Sequence, residues 1–349
     1  MATTILGGGI AGTALAGALA RTGESVSLYE RQHHGGGGGA FLFLDARGHV
    51  ALTGLGVDLD ALHAASHPIR GLDVTDSSGP VSARMDTGHR LWLRRNLIGV
   101  LREFLDGSDV DTHYDTAVSG VSVDAGACVL RIDGRLPVTV ADGPVIAADG
   151  IDSVVRGAIE PDRTPVYAGD VVIYGIATQP LTLPTPAAIL HFYNEIIPSG
   201  KGSTFGHVWD HGIDTVWFLR IPREPLRADD LGLRTAGDWA DEVLAATPSN
   251  RAVLETLLAH TDSVHVSNAR TVPLDTAADP KAPALLVGDA DHAITPAAGV
   301  GARDALEDVH AVYRAITRGE SVAAAVAARR AQIRAERAAA RQRIQASGR

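Results

Sequence analysis

The chain of 349 residues has one cysteine, Cys128. That excludes an intrachain disulfide and any metal site built from several thiolates, and it fits a reducing compartment. Long apolar runs are missing as well. No stretch approaches the roughly 18 apolar residues that span a bilayer. The first residues enter a short apolar segment with no basic stretch or apolar leader ahead of them. A soluble, cytoplasmic protein without a membrane partner is the expectation. Positive charge is in deficit too, the formal net charge being −10, so nucleic acid is not an expected partner. The one Arg-rich stretch, 329–349, alternates with alanine and carries Glu336, which fits a solvated terminal helix.

The remaining composition, 45% hydrophobic and 21% charged, is that of a globular chain long enough for one large domain or two smaller ones. Residues 3–6 (TTIL) are a short apolar run. GGGIAG follows, then TALAGALARTG, in which Ala11, Ala14, Leu15, Ala18 and Leu19 recur at helical spacing until Gly23. SVSLYE at 25–30 alternates as a strand does. This β–turn–α–β order begins a parallel sheet. HHGGGGG (33–39) is a loop, either a linker or backbone that passes close to a ligand. Helices are expected near 46–54, 94–105 and 235–259 and after Ala302, with a hairpin around Ser78-Gly79. Strands are expected near 110–114, 117–124, 127–133, 136–140, 144–149 and 284–289. Between 166 and 222 four strand-like runs separated by Pro, Gly and Ser clusters predict a second, mostly antiparallel sheet.

Gly7, Gly9 and Gly12, with Ile10 and Ala11 between them, fit G-x-G-x-x-G between a strand and a helix, and Glu30 ends the next strand, beside Arg31. In such a turn the first glycine permits the bend, the second admits a pyrophosphate to the backbone, and the third lets helix and strand pack closely. The helix start offers unpaired N–H groups to phosphate oxygens. Glu30 suits the ribose hydroxyls of an adenosine and repels a 2′-phosphate, which disfavours NADP here. The pattern alone does not separate FAD from NAD. Residues 288–308, GDADHAITPAAGVGARDALED, gather Asp289, Asp291, His292, Asp304, Glu307 and Asp308, which taken alone resembles a cation site. Three glycines and a proline in the same stretch suggest a turn that opens a helix instead.

Three separated segments carry a family resemblance. VIAADGIDSVVR (145–156), with Asp149, Gly150, Ser153 and Arg156, resembles the Asp-Gly motif of the flavin-dependent aromatic hydroxylases related to para-hydroxybenzoate hydroxylase. The 288–308 stretch resembles that family's Gly-Asp motif through Gly288, Asp289, His292, Pro296, Gly299, Gly301 and Asp308. RRNLIGVL (94–101) resembles the segment whose Arg, here Arg94, meets the flavin. Departures are Val300 and Arg303, where the family often has Gln and Asn, and the glycine-rich segment 33–48.

The resemblance implies an α/β fold: a Rossmann-like FAD-binding domain (1–70, 91–165 and 273–349, with the C-terminal helix) and a mostly antiparallel β-sheet substrate domain (71–90 and 166–272). It implies FAD as cofactor, with NADPH or NADH as transient reductant and O2 as co-substrate. The reaction it implies is oxygenation of a small, aromatic molecule, most simply hydroxylation, by way of a C4a-hydroperoxyflavin. Asp289 would take ribityl or ribose hydroxyls, and Pro296, Gly299, Val300, Gly301 and Ala302 would lie against the ring. No metal is implied, and His292 reads as a structural hydrogen-bonding residue. The other readings on this fold are a non-redox flavoprotein such as a cyclase, and a halogenase, whose W-x-W-x-I-P signature is echoed with Leu219 in place of the second Trp.

On the substrate side, alternation groups Ile189, His191 and Tyr193, then Phe205, His207 and Trp209, then Trp217, Leu219 and Ile221. Either these faces line the cavity, making His191 and His207 candidate general bases toward a phenol, or they are the packed face of the sheet.

Overall fold

The strand Ala2–Leu6, the helix Ile10–Arg21 and the strand Ser25–Tyr29 form the expected opening unit. The computed structural model describes residues 2–34, 39–76, 79–81, 88–124, 126–196, 200–296 and 299–347. Five parallel strands make the first sheet, in the order Ala284–Leu286, Val145–Ala147, Ala2–Leu6, Ser25–Tyr29 and Asp111–His113. The strand that opens the described chain is thus central, flanked by one from the middle of the sequence and one partner 23 residues on (Ala2↔Ser25). Helices Ile10–Arg21, Arg94–Asp106 and Gly301–Thr317 share an apolar core with this sheet, containing Leu15, Leu19, Leu101 and Leu306. Gly17 lets two of them meet closely, because a Cβ there would lie 2.7 Å from a ring carbon of Phe104.

The second sheet has eight strands, in the order Gly232–Thr235, Ser263–Thr271, Val166–Ala177, Thr215–Pro222, Gly202–Val208, Ile189–Ile196, Gly71–Asp76 and Gly79–Val81. All neighbours are antiparallel except Ile189–Ile196 with Gly71–Asp76. The expected fold class holds: a parallel sheet with helices, a mostly antiparallel second sheet, and a terminal helix, Val322–Ser347.

Some elements differ from expectation. Ser263–Thr271, a long inner strand of the second sheet, has only Val264, Val266 and Ala269 buried in a largely polar run, too weak a pattern to mark a strand. Phe41–Leu44 is a strand, ended by Asp45, whose carboxylate accepts from Gly48 N–H at 3.0 Å and caps the helix Ala46–Gly54. The helical stretch expected at 235–259 is broken into Ala240–Ala245 and Arg251–Ala259, because Pro248 cannot donate within a continuous helix. The terminal helical region likewise turns at Gly319 (φ +67). In the hairpin, Asp76 pairs with Gly79, while Ser78 lies outside the described residues, as do 35–38 of the glycine run.

Candidate functional site

The three glycines of the first turn have different tasks. A Cβ on Gly7 (φ +101) would lie 2.3 Å from the Ala148 carbonyl oxygen, and one on Gly12 would lie 1.9 Å from that of Gly7. Both are needed for the close approach of the strands Ala2–Leu6 and Val145–Ala147 and the first helix. A Cβ on Gly9 would meet nothing within 4 Å, so no protein contact requires a glycine there. Gly9 instead faces a cavity of about 1010 Å³, as do Gly7, Ile10 and Ala11; Gly12 lies beneath, in the helix. No side chain caps this helix, so its first N–H groups are available to a ligand. Glu30, also on the cavity, is held by two backbone donors, Gly8 N–H to Oε2 and Gln32 N–H to Oε1, each 2.6 Å. Arg31 lies beside it.

The second half of the cavity comes from chain far away in sequence. Asp149 follows the strand Val145–Ala147; its Oδ2 accepts from Val154 N–H at 2.9 Å, whereas the buried Oδ1 has no partner among the described residues. Burial, only partly offset by hydrogen bonds, pushes its carboxyl above the usual range. Asp289 follows the strand Ala284–Leu286 and its carboxyl is also pushed up by desolvation, against the attraction of His292 and Arg94. Arg94 begins the helix Arg94–Asp106, and its buried Nε lacks a partner among the described residues. Pro296, Gly299 (φ +64), Val300, Gly301 and Ala302 complete this wall. They lead into the helix Gly301–Thr317, whose N-terminus also has no side-chain cap. Two uncapped helix starts nearly three hundred residues apart therefore open on one cavity. Unpaired donors and acceptors on its wall (Asp149 Oδ1, Arg94 Nε), together with an open face at Gly9, fit a long polar ligand with phosphates and hydroxyls, as a dinucleotide is.

Apart from Asp289, the carboxylates of 288–308 face guanidinium groups. Asp291 accepts from Arg163 at 2.8 Å and from Arg330 at 2.6 Å. Asp308 accepts from Gly288 N–H and Arg329 Nε, each 3.0 Å, and lies 2.6 Å from His292 Nε2. Burial works against a charged His292, but the attraction and hydrogen bond of Asp308 leave its pKa raised. Arg303 turns to Asp304, Asp45 and Glu336. This network ties the turn that carries Asp289 and Gly299 to the terminal helix.

The second sheet closes the cavity, and here one expectation is corrected. Alternation grouped the residues properly but does not choose the face. His191, His207 and Trp217 are cross-strand partners, as are Tyr193, Phe205 and Leu219. That face is packed: Phe205, Trp217 and Leu219 share a core with Val243, Leu254 and Leu257 of the two covering helices. His191 and His207 stack at 5.0 Å, His207 Nε2 lies 2.9 Å from the Thr185 hydroxyl, and burial, reinforced by His191, pushes His207 down to about 3. Neither histidine lines the cavity.

The opposite face does, in two rows of cross-strand neighbours. One runs His265, Tyr174, Phe218, Gly206, Phe192, Val74. Gly206 is required, since its Cβ would lie 2.3 Å from Phe218 Cζ. The other runs Val172, Arg220, Thr204, Asn194. His265 is the cavity-lining histidine among the described residues. Burial and then the charge of Arg94 lower its pKa, and burial raises that of Tyr174. Sequence reasoning missed this histidine because it missed its strand. The usable signal was that apolar helices follow at 240–259 and need one sheet face, which leaves the face bearing Asn194, Thr204 and Arg220 for the cavity.

The sequence pattern of the family described as FAD binding domain matches residues 1–345. The chain is similar to 2-heptyl-3-hydroxy-4(1H)-quinolone synthase of Pseudomonas aeruginosa, 28% identical over 344 residues that cover 90% of this chain and 80% of that protein. It is also similar to 3-amino-4-hydroxybenzoate 2-monooxygenase of Streptomyces cremeus, 27% identical over 325 residues, 87% of this chain and 76% of that one. Among solved structures, 2,6-dihydroxypyridine-3-hydroxylase from Arthrobacter nicotinovorans shares the fold with a TM-score of 0.76 at 20% identity, covering 95% of this chain and 87% of that one.

Proposed function

Since the chain belongs to the FAD-binding-domain family, we propose that it is an FAD-dependent monooxygenase that uses NAD(P)H and O2 to hydroxylate a small aromatic molecule. The observation that carries this reading is the single cavity in which two uncapped helix N-termini face an aromatic sheet wall. The relatives named as a quinolone synthase and an aminohydroxybenzoate monooxygenase support an aromatic substrate. The backbone of Gly9, Ile10 and Ala11 would hold the pyrophosphate of FAD, and Glu30 its adenosine ribose, with Arg31 beside it. Asp149, Asp289 and Arg94 would hold further polar groups of FAD, and Pro296, Gly299, Val300, Gly301 and Ala302 would hold its ring, with the positive end of the helix Gly301–Thr317 beside them. FAD, when bound, supplies the redox chemistry with NAD(P)H and O2.

The chain's own residues orient the substrate and exclude water. Phe218, Phe192 and Tyr174 provide an apolar aromatic wall for a ring, Phe192 and Phe218 meeting edge to face. His265 is the proton acceptor for a substrate hydroxyl: its lowered pKa keeps the imidazole neutral near pH 7, and deprotonating a phenol makes the ring more electron-rich. Tyr174, whose phenol is held protonated, lies beside it with ring centroids 6.4 Å apart. Purified protein given NAD(P)H, ¹⁸O₂ and a panel of phenols and hydroxyquinolines tests the reading by mass spectrometry. One labelled oxygen atom in the product is expected. FAD-loaded protein that shows no substrate-dependent NAD(P)H oxidation with any of the panel would sink it.

A further inference from the structure

The cavity ends where two sheets touch. Phe41–Leu44 pairs antiparallel with Arg90–Leu93 in a small three-stranded sheet, Phe41 standing opposite Leu93. The Ala40 carbonyl just before it accepts from Arg94 N–H at 3.3 Å, which ties the start of the strand to the cofactor side. Alternation sends Phe41 and Phe43 to one side of that strand, and both line the cavity. The Phe41 ring meets Tyr174 of the eight-stranded sheet edge to face, with centroids 5.6 Å apart, and lies 6.4 Å from Phe218. Phe43 adds a further edge contact at 5.8 Å. Three ring contacts hold Phe41 in place, and it is only 9% exposed. Behind it, Ile69, Leu91, Leu190, Val208 and Val216 form a buried core with Phe41 and Phe218, and none of the five lines the cavity. Open space therefore stops at Phe41, and side chains without a polar atom begin directly behind it.

We propose that Phe41 is a specificity-determining residue that sets how long a substrate the cavity admits. With Phe41 in place the cavity takes a compact aromatic molecule, and an apolar tail directed at this end meets the ring. Removing the ring leaves a void lined by aliphatic side chains and continuous with the cavity. Such a void stays dry and takes up an apolar guest. A carbon chain or a further ring fits that chemistry, and a charged or hydroxylated tail does not. The inference rests on the monooxygenase reading for the word substrate, but the length limit is measurable by binding, without turnover.

Calorimetric titration of the FAD-loaded protein with phenol, 4-ethylphenol, 4-butylphenol and 4-hexylphenol tests it. Each methylene moved from water into an apolar site raises affinity about fourfold. Two or three methylenes entering the void should make Phe41→Ala bind 4-butylphenol about fifteenfold to sixtyfold more tightly than the unchanged protein does. Phenol itself, with no tail, should gain nothing comparable. Phe41→Leu should shift the series in the same direction by a smaller factor, and it serves where the alanine variant does not fold. Leu190→Ala makes a void behind an intact Phe41, so it should lose stability in chemical denaturation yet keep the length limit of the unchanged protein. Phe41 variants that bind no tailed phenol more tightly than the unchanged protein, or an equal gain in Leu190→Ala, overturn the inference. A length limit that follows Phe41 in a protein without substrate-dependent NAD(P)H oxidation overturns the monooxygenase reading and leaves the inference standing. Turnover of phenols with a length limit indifferent to Phe41 does the reverse.

Discussion

The two faces of the eight-stranded sheet are built from the same strands, one residue out of phase, yet they do different work. Toward the helices Ala240–Ala245 and Arg251–Ala259, the sheet presents Phe205, Trp217, Leu219 and the stacked pair His191 and His207, closed from water. Toward the cavity it presents Tyr174, Phe218, Phe192 and His265 in one row and Arg220, Thr204 and Asn194 in the next. Both faces are aromatic and both carry histidine, so residue type does not distinguish them. What does is the partner layer: a sheet buries against whichever neighbour brings an apolar stripe, and the face left over is available to a ligand.

Substitutions on either face can break or sharpen this contrast. The largest effect is expected at His265: His265→Asn should lower kcat by about 10²- to 10⁴-fold, the usual contribution of a positioned proton acceptor, and His191→Asn should leave kcat of the folded protein nearly unchanged. Steady-state kinetics with the same substrate decide between them, and equal losses would erase the distinction between the faces. Phe205→Ala on the packed face should cost about 3–5 kcal/mol of stability in chemical denaturation, because the side chain is fully buried. Phe192→Ala, on the cavity, should cost much less and appear mainly as a raised KM.

A further contrast is a pH dependence. The His207 imidazole is pushed down to about 3 from its ordinary 6.5. The unfolded chain therefore takes up a proton near 6.5 that the folded one refuses until about 3. Stability from this group is full above 6.5 and declines as pH falls toward 3, by about 1.4 kcal/mol per pH unit. His207→Gln should flatten that part of the profile, and an unchanged acid slope would show that His207 is not a buried neutral group.

How much of this was legible in the sequence follows from the range of each interaction. The opening β–α–β unit and its glycine turn are local, so Gly7, Gly9, Gly12 and Glu30 could be read directly. The carboxylates of 288–308 were ambiguous because their partners Arg163, Arg329 and Arg330 lie far off in sequence, and only folding brings them into hydrogen-bond contact. The alternation in 189–193 and 205–209 gave correct groupings, but the side of the sheet that faces the cavity depends on where the later helices pack. His265 escaped notice for a related reason: its strand has apolar neighbours only after the sheet has formed.

The central claim is that segments from the two ends of the chain enclose one FAD, with the open face of Gly9 against its pyrophosphate. Gly9→Glu sends a carboxylate out from a position where a Cβ would meet no protein atom within 4 Å, into the space where phosphate is expected. The absorbance of the purified variant in the visible flavin band, relative to its protein band, reads the outcome directly. A folded, colourless protein is the expected result; a folded variant that purifies yellow with one FAD per chain contradicts the account.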